Sequence, residues 1–155
     1  MNRVAFALLL PLAACASATA APAPTPPGPT PAEIVAARQA AFNLLAGTVG
    51  GMKGTVDSGG EVKGLGFPAR GIARWGKAIP SMFPAGTALP TSRAKPEIWT
   101  NRADFEAKAA ALAVAGARLA ELAQTGDKEA FAAQYKALGQ TCAACHDVYR
   151  AEAAH

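Results

Sequence analysis

Of the 155 residues only 6% are aromatic and 17% charged, and there is no run of Lys or Arg. A formal charge of +4 scattered over such a chain, with no basic stripe interleaved with aromatics, offers no grip on a phosphate backbone, which excludes nucleic acid as a partner. The apolar stretch Val4 to Leu12 is too short to span a bilayer as a mature helix. Runs of β-branched residues are sparse, so a sheet is not expected. What remains is an alanine-rich chain, which favours helices, of a length that builds one domain with a sizeable core.

The first twenty residues read as an export signal. Arg3 supplies the positive start, Val4 to Leu12 the apolar region, and Ala18-Thr19-Ala20 a small-residue cleavage site. Leu12-Ala13-Ala14-Cys15 also has the form of a bacterial lipobox, in which the cysteine becomes a lipidated N-terminus. Either Cys15 leaves with the leader or it tethers the protein to a membrane. Residues 21–31 are a proline-rich linker that cannot pack as helix or central strand. The expected compartment is the periplasm.

The folded domain, residues 32–155, opens on Thr30-Pro31-Ala32-Glu33, which combines an N-cap threonine, a first-turn proline and a capping-box glutamate. The helix that follows is predicted to reach about Gly47, with Gly50 and Gly51 stopping it. Seven glycines between 50 and 66 then predict a long, mobile connection. A second helix is expected from Pro68, with Ile72, Trp75, Ile79 and Met82 on its apolar face, ending at Pro80 or Pro84. Residues 84–96 read as a loop. A third helix runs from Thr100 or Asn101 to about Thr125, with Phe105, Ala109, Leu112, Gly116, Leu119 and Ala123 along its seam. Gly126 breaks it. Asp127 caps the fourth helix, whose periodic positions are Phe131, Tyr135, Leu138, Cys142, Cys145 and Tyr149. Four amphipathic helices without a strand pattern give an all-α, antiparallel four-helix bundle.

The chemistry is concentrated in Cys142-Ala143-Ala144-Cys145-His146. Two cysteines separated by two residues and followed at once by histidine are spaced to attach haem covalently. Each thiol can add across one vinyl group while the imidazole reaches the iron. Cys142 and His146 stand at i and i+4, with Cys145 beside them, so one helical turn can grip one porphyrin. An exported C-x-x-C can also be a redox disulfide, but the adjoining histidine favours haem c. His155, the other histidine, is terminal and inert on this reading.

The chain resembles the cytochrome c′ family, the class II c-type cytochromes, over roughly residues 31–152. The resemblance is carried by Arg38-Gln39-Ala40-Ala41-Phe42, by Lys95-Pro96-Glu97-Ile98-Trp99, and by the C-terminal run from Cys142 to Arg150. It implies one haem c held by Cys142 and Cys145 with His146 as the only protein ligand, hence a five-coordinate, high-spin iron. The distal side would be closed by an apolar residue on the first helix, here Phe42. Low-spin relatives place a methionine on that helix. With the helix stopped at Gly50, Met52 falls beyond it and the sixth position stays open but crowded. Arg150 would lie near the proximal side.

The remaining candidates keep two readings. Arg38 pairs with a haem propionate or lies on the solvent edge. Trp99 and Phe105 line the pocket or pack the core. Gln39 and Glu97 contact haem, cap a helix or face solvent. The resemblance thus implies a monohaem cytochrome that binds nitric oxide and carbon monoxide, exchanges electrons with redox partner proteins, or both. The alternative is a plain low-spin electron carrier. No second redox centre, proton-relay carboxylate or substrate cleft is legible, so enzymatic turnover is not expected beyond slow nitric oxide turnover. The family's homodimer uses the first two helices, and Gly64, Gly66 and Pro68 predict loss of the first turn of the second.

Overall fold

The structure, a computed structural model, describes residues 27–152; the export signal, Cys15 and most of the proline linker lie outside the described residues. Helix α1 spans Pro31–Asp57. It starts as a capping box: Thr30 Oγ1 accepts from the Glu33 amide, and the Glu33 carboxylate accepts from the Thr30 amide at 2.7 Å. It does not stop at Gly50, which corrects the expectation of a helix ending near Gly47. Each helical glycine costs about 1 kcal/mol relative to alanine. Here that cost is offset by burial of Met52, only 1% exposed, and by packing of Val49 and Val56 on the core. The turn comes instead after the Ser58 cap, at Gly59, whose φ of +62° is readily reached only without a Cβ.

The long mobile connection expected over 50–66 is therefore short and packed, with Val62 buried in it and a 3-10 turn at Lys63–Leu65. Helix α2, Gly66–Ala78, begins two residues ahead of Pro68, which sits in the first turn where its missing N–H costs nothing. The first turn of this helix is thus present. It continues as a 3-10 turn, Ile79–Met82. After the loop from Phe83 to Pro96 comes a single helical turn, Glu97–Thr100, then α3, Arg102–Thr125, and α4, Lys128–Tyr149, capped by Asp127 accepting from the Ala130 amide.

Helices α2 and α3 pack at backbone distance. A Cβ on Gly76 would lie 2.5 Å from the Ala113 nitrogen, and one on Gly116 would lie 2.7 Å from that of Ala73. Gly66 faces Ala123 in the same antiparallel register. The seam residues Phe105, Ala109, Leu112, Gly116, Leu119 and Ala123 are all buried, as their spacing predicts. Helix α4 joins this pair through Phe131 and Leu138, both fully buried. Helix α1 touches its neighbours far more sparsely than α2 and α3 touch each other. The chain runs up, down, up and down, so the start of α1, the end of α2, the start of α3 and the end of α4 meet at one end of the bundle.

Candidate haem site at one end of the bundle

The register of α1 on α4 is set by Tyr135 Oη, which donates to the Val49 carbonyl at 2.9 Å. Phe42 precedes Val49 by seven residues and Cys142 follows Tyr135 by seven. At 1.5 Å per residue in antiparallel helices, Phe42 and Cys142 stand at about one level. The same stepping brings Arg38 near the level of His146. Met52, contrary to the expectation that it follows the helix, belongs to α1. It nevertheless lies about 15 Å along the axis from Phe42, packed in the core away from this end.

Cys142 and Cys145 are both unpaired, half-buried and packed against the core cluster. Burial pushes both thiols up from their ordinary value. A redox C-x-x-C works through a depressed thiol at a helix N-terminus. This one has raised thiols near a helix C-terminus, where the dipole disfavours a thiolate further, so the disulfide reading loses its chemistry. His146 is half-buried and held below its ordinary value, first by burial and then by the nearby Arg150 and Arg93 charges. A depressed imidazole is neutral at pH 7 and keeps a lone pair for a metal. It opens on a cavity of about 510 Å³ lined also by Arg93, Lys95, Asp147, Arg150 and Glu152. Arg150 therefore shares the His146 side; its amide donates to the His146 carbonyl. The wall of that cavity is fixed by Lys95 and Ala151 amides donating to the Tyr149 and Arg93 carbonyls at 3.0 and 2.8 Å.

An aromatic file crosses the bundle end. Phe42 meets Phe83 at 6.1 Å between centroids, Phe83 meets Phe105 at 5.1 Å and Trp99 at 6.2 Å, and Phe105 meets Tyr149 at 5.2 Å. Phe105, 2% exposed, packs in the core between Phe83 and Tyr149. Tyr149 Oη donates to Asp104 Oδ2 at 2.6 Å, and burial, then Asp104, push the phenol up to about 12.

Arg38 is not on the solvent edge. It is 4% exposed, donating to Thr87 Oγ1 and the Thr87 carbonyl, both at 2.8 Å, and to Ser92 Oγ at 2.7 Å. Gln39 donates to the Thr91 carbonyl and Trp99 Nε1 to the Pro84 carbonyl. Arg38, Gln39 and Trp99, each given a haem-facing reading beside a structural one, all pin the loop after α2. Glu97 is exposed and its carboxylate has no hydrogen-bond partner among the described residues. Phe83, Thr87 and Ser92 were not foreseen. The one available signal was Met82-Phe83-Pro84: an aromatic in a loop between helix breakers needs somewhere to be buried.

The arrangement fits a haem. Two half-buried thiols and a neutral imidazole share one turn of α4. The Arg38 guanidinium is buried with no carboxylate partner among the described residues, an environment that favours an incoming carboxylate such as a propionate. Among the described residues no three His, Cys, Asp or Glu side chains converge to hold a bare ion.

Known proteins bear on this site. Rhodospirillum rubrum cytochrome c' is 39% identical over 85 residues, 54% of this chain and 58% of that protein. Cytochrome c-556 of Agrobacterium tumefaciens (strain B2A) is 48% identical over 75 residues, 48% and 59% of the two chains. The chain thus spans less than two thirds of either, although for the 34% identical Rhodocyclus tenuis cytochrome c' the shares are 76% and 93%. Among solved structures, the nitric oxide complex of a cytochrome c prime variant from Alcaligenes xylosoxidans superposes with TM-score 0.72 at 28% identity, over 79% of this chain and 97% of that one. A carbon monoxide-bound variant of the same protein matches equally well, at TM-score 0.72 and 28% identity over 79% and 98%. A cytochrome c' with ligand-controlled dimer dissociation gives 0.71 at 28% identity over 81% and 100%. The family model for cytochrome C' runs from residue 33 to residue 150, across all four helices and the Cys142–His146 turn, and this chain belongs to that family.

Proposed function

We propose that this chain is a monohaem c-type cytochrome that binds small neutral gases at an iron with one protein ligand. Cys142 and Cys145 would hold the haem through thioethers and His146 would ligate the iron. The haem supplies the open metal position at which a gas is held. The residues of the chain decide what reaches it. The observation that supports the reading is the level match between Phe42 and Cys142, with a half-buried phenyl at that level of α1 and Met52, the methionine of that helix, about 15 Å further along. A phenyl offers no hydrogen bond, so a dioxygen adduct, which gains from polar partners, is not favoured. Nitric oxide and carbon monoxide need no such partner, and the solved relatives in complex with both support the extension to this chain.

A low-spin electron carrier would need a second protein ligand, and Met52 is a long way down α1. The test is the absorption spectrum of the reduced protein with and without nitric oxide. A broad high-spin Soret band that shifts with the gas is expected. A sharp low-spin spectrum indifferent to the gas would overturn the reading and turn attention to Met82, at the site end of α2.

The same reading carries export to the periplasm by residues 1–20 and no enzymatic activity beyond slow nitric oxide turnover, with electron exchange as a companion role. Among the described residues no helix is long and apolar enough to cross a membrane. A lipid on Cys15 would appear in the intact mass of membrane-extracted protein. Homodimer formation is supported by the solved relative whose dimer dissociates under ligand control, and would be read by sedimentation.

A further inference from the structure

The loop between α2 and α3 is held at its end by backbone pairing of 93–95 with 149–151, but over 83–92 mainly by side chains. Its start is tied by Arg102, which donates to the Phe83 and Pro80 carbonyls at 3.2 and 2.6 Å, and by Trp99 at Pro84. Its middle is tied from α1. Arg38 takes two acceptors on Thr87 and one on Ser92, while Thr87 Oγ1 passes a hydrogen bond on to the Pro84 carbonyl at 2.8 Å. Thr87 is 1% exposed, so this is an interior latch. The same guanidinium lies 4.4 Å over the Phe83 ring, and Phe83 is the ring against which Phe42 rests.

We propose that Arg38, through Thr87, is a positioning residue for ligand entry: the latched strap 83–92 keeps Phe83 behind Phe42 and makes the barrier to a gas a two-ring gate. This rests on the gas-binding reading above. For a ligand to pass, the Phe42 ring must yield, and the space on its flank is bounded by Phe83. Phe83 cannot follow, because the carbonyls of Pro80, Phe83 and Pro84 are tied and its face is covered by Arg38. Interiors packed this way switch between discrete arrangements rather than deforming smoothly. Opening the gate therefore means releasing the latch.

Arg38 can also face a haem propionate, and its effect through charge and its effect through the latch are separable at Thr87. Thr87→Val keeps the shape and every charge but deletes the hydroxyl that accepts from Arg38 and donates to Pro84. In the haem-loaded full chain we expect the carbon monoxide association rate to rise about tenfold, the rate factor that loss of one hydrogen bond to a charged group converts to. The reduction potential should stay put, and amide exchange over 83–92 should accelerate. In a Phe42→Ala background the gain should largely vanish, because the two rings act as one gate. Wild-type binding of carbon monoxide with an unchanged Thr87→Val rate would overturn this inference and leave the gas-binding reading intact. So would a shifted potential with an unchanged rate, or full additivity with Phe42→Ala. A wild-type protein that binds no carbon monoxide sinks the functional reading and the gate with it, and unchanged exchange over 83–92 then sinks the latch as well.

Discussion

The seam between α2 and α3 and the end of the bundle that carries Cys142 to His146 are closed by opposite means. At the seam, Gly76 and Gly116 let two backbones meet, alanines fill the remaining space, and no polar side chain is needed. At the site end, large rings and a buried guanidinium do the closing: Phe42, Phe83, Phe105 and Tyr149 meet in tilted and edge-to-face contacts, and Arg38 fastens the strap. Small residues make a contact that tolerates nothing inserted. Rings and long polar side chains make one that can open around a planar group. The scaffold half is complete by itself, and the site half is built to receive something.

Substitutions can break this contrast. The largest effect is expected from Cys142→Ala with Cys145→Ala: covalent haem should disappear, read as lost haem staining after denaturing electrophoresis, while Gly76 and Gly116 keep the helices packed. Next is Gly76→Val, whose Cβ would meet the Ala113 backbone, with no flexible side chain to give way. It should destabilise by about 3 kcal/mol in denaturant titration, and full stability would show that the seam is looser than described.

The site end should also respond to alkaline pH. The Tyr149 phenol is raised from 10.0 to about 12, so its folded form holds the proton more tightly than the unfolded chain does. The stabilisation from that group is fully present below pH about 10 and is lost as the pH climbs toward 12. Asp104→Asn removes one cause of the shift and should move the phenol's ultraviolet titration downward; an unmoved titration would detach Tyr149 from Asp104. The smallest effect is of opposite sign to that at the seam. Gly51 is exposed in α1 with open space where a Cβ would go, so Gly51→Ala should stabilise by about 1 kcal/mol.

Much of this was legible because the signals were local. The Thr30–Glu33 capping box, the α3 seam from Phe105 to Ala123, the Asp127 cap and the haem motif each depend on residues within one helix, where spacing dictates the facing. Gly50 and Gly51 misled for the complementary reason. Their cost is local, but the burial of Met52 that outweighs it comes from other helices. The same holds for Arg38, Gln39 and Trp99. They were recognisable as residues of the site end, but their partners at Thr87, Thr91, Ser92 and Pro84 lie 15 to 54 residues away along the chain and have no sequence signature.

By itself, then, the sequence determined four helices, a haem-attaching turn at the end of the last one, and a phenyl on the first. Those follow from periodicity and from the spacing of Cys142, Cys145 and His146. Only the tertiary structure decided that Phe42 stands level with Cys142, that Met52 belongs to α1 yet lies too far along it, and that Phe83 backs Phe42 under an Arg38 latch. Register between helices and the path of a loop are settled by packing between distant segments, and one residue of slip along α1 would rotate Phe42 away from that level without altering any local pattern.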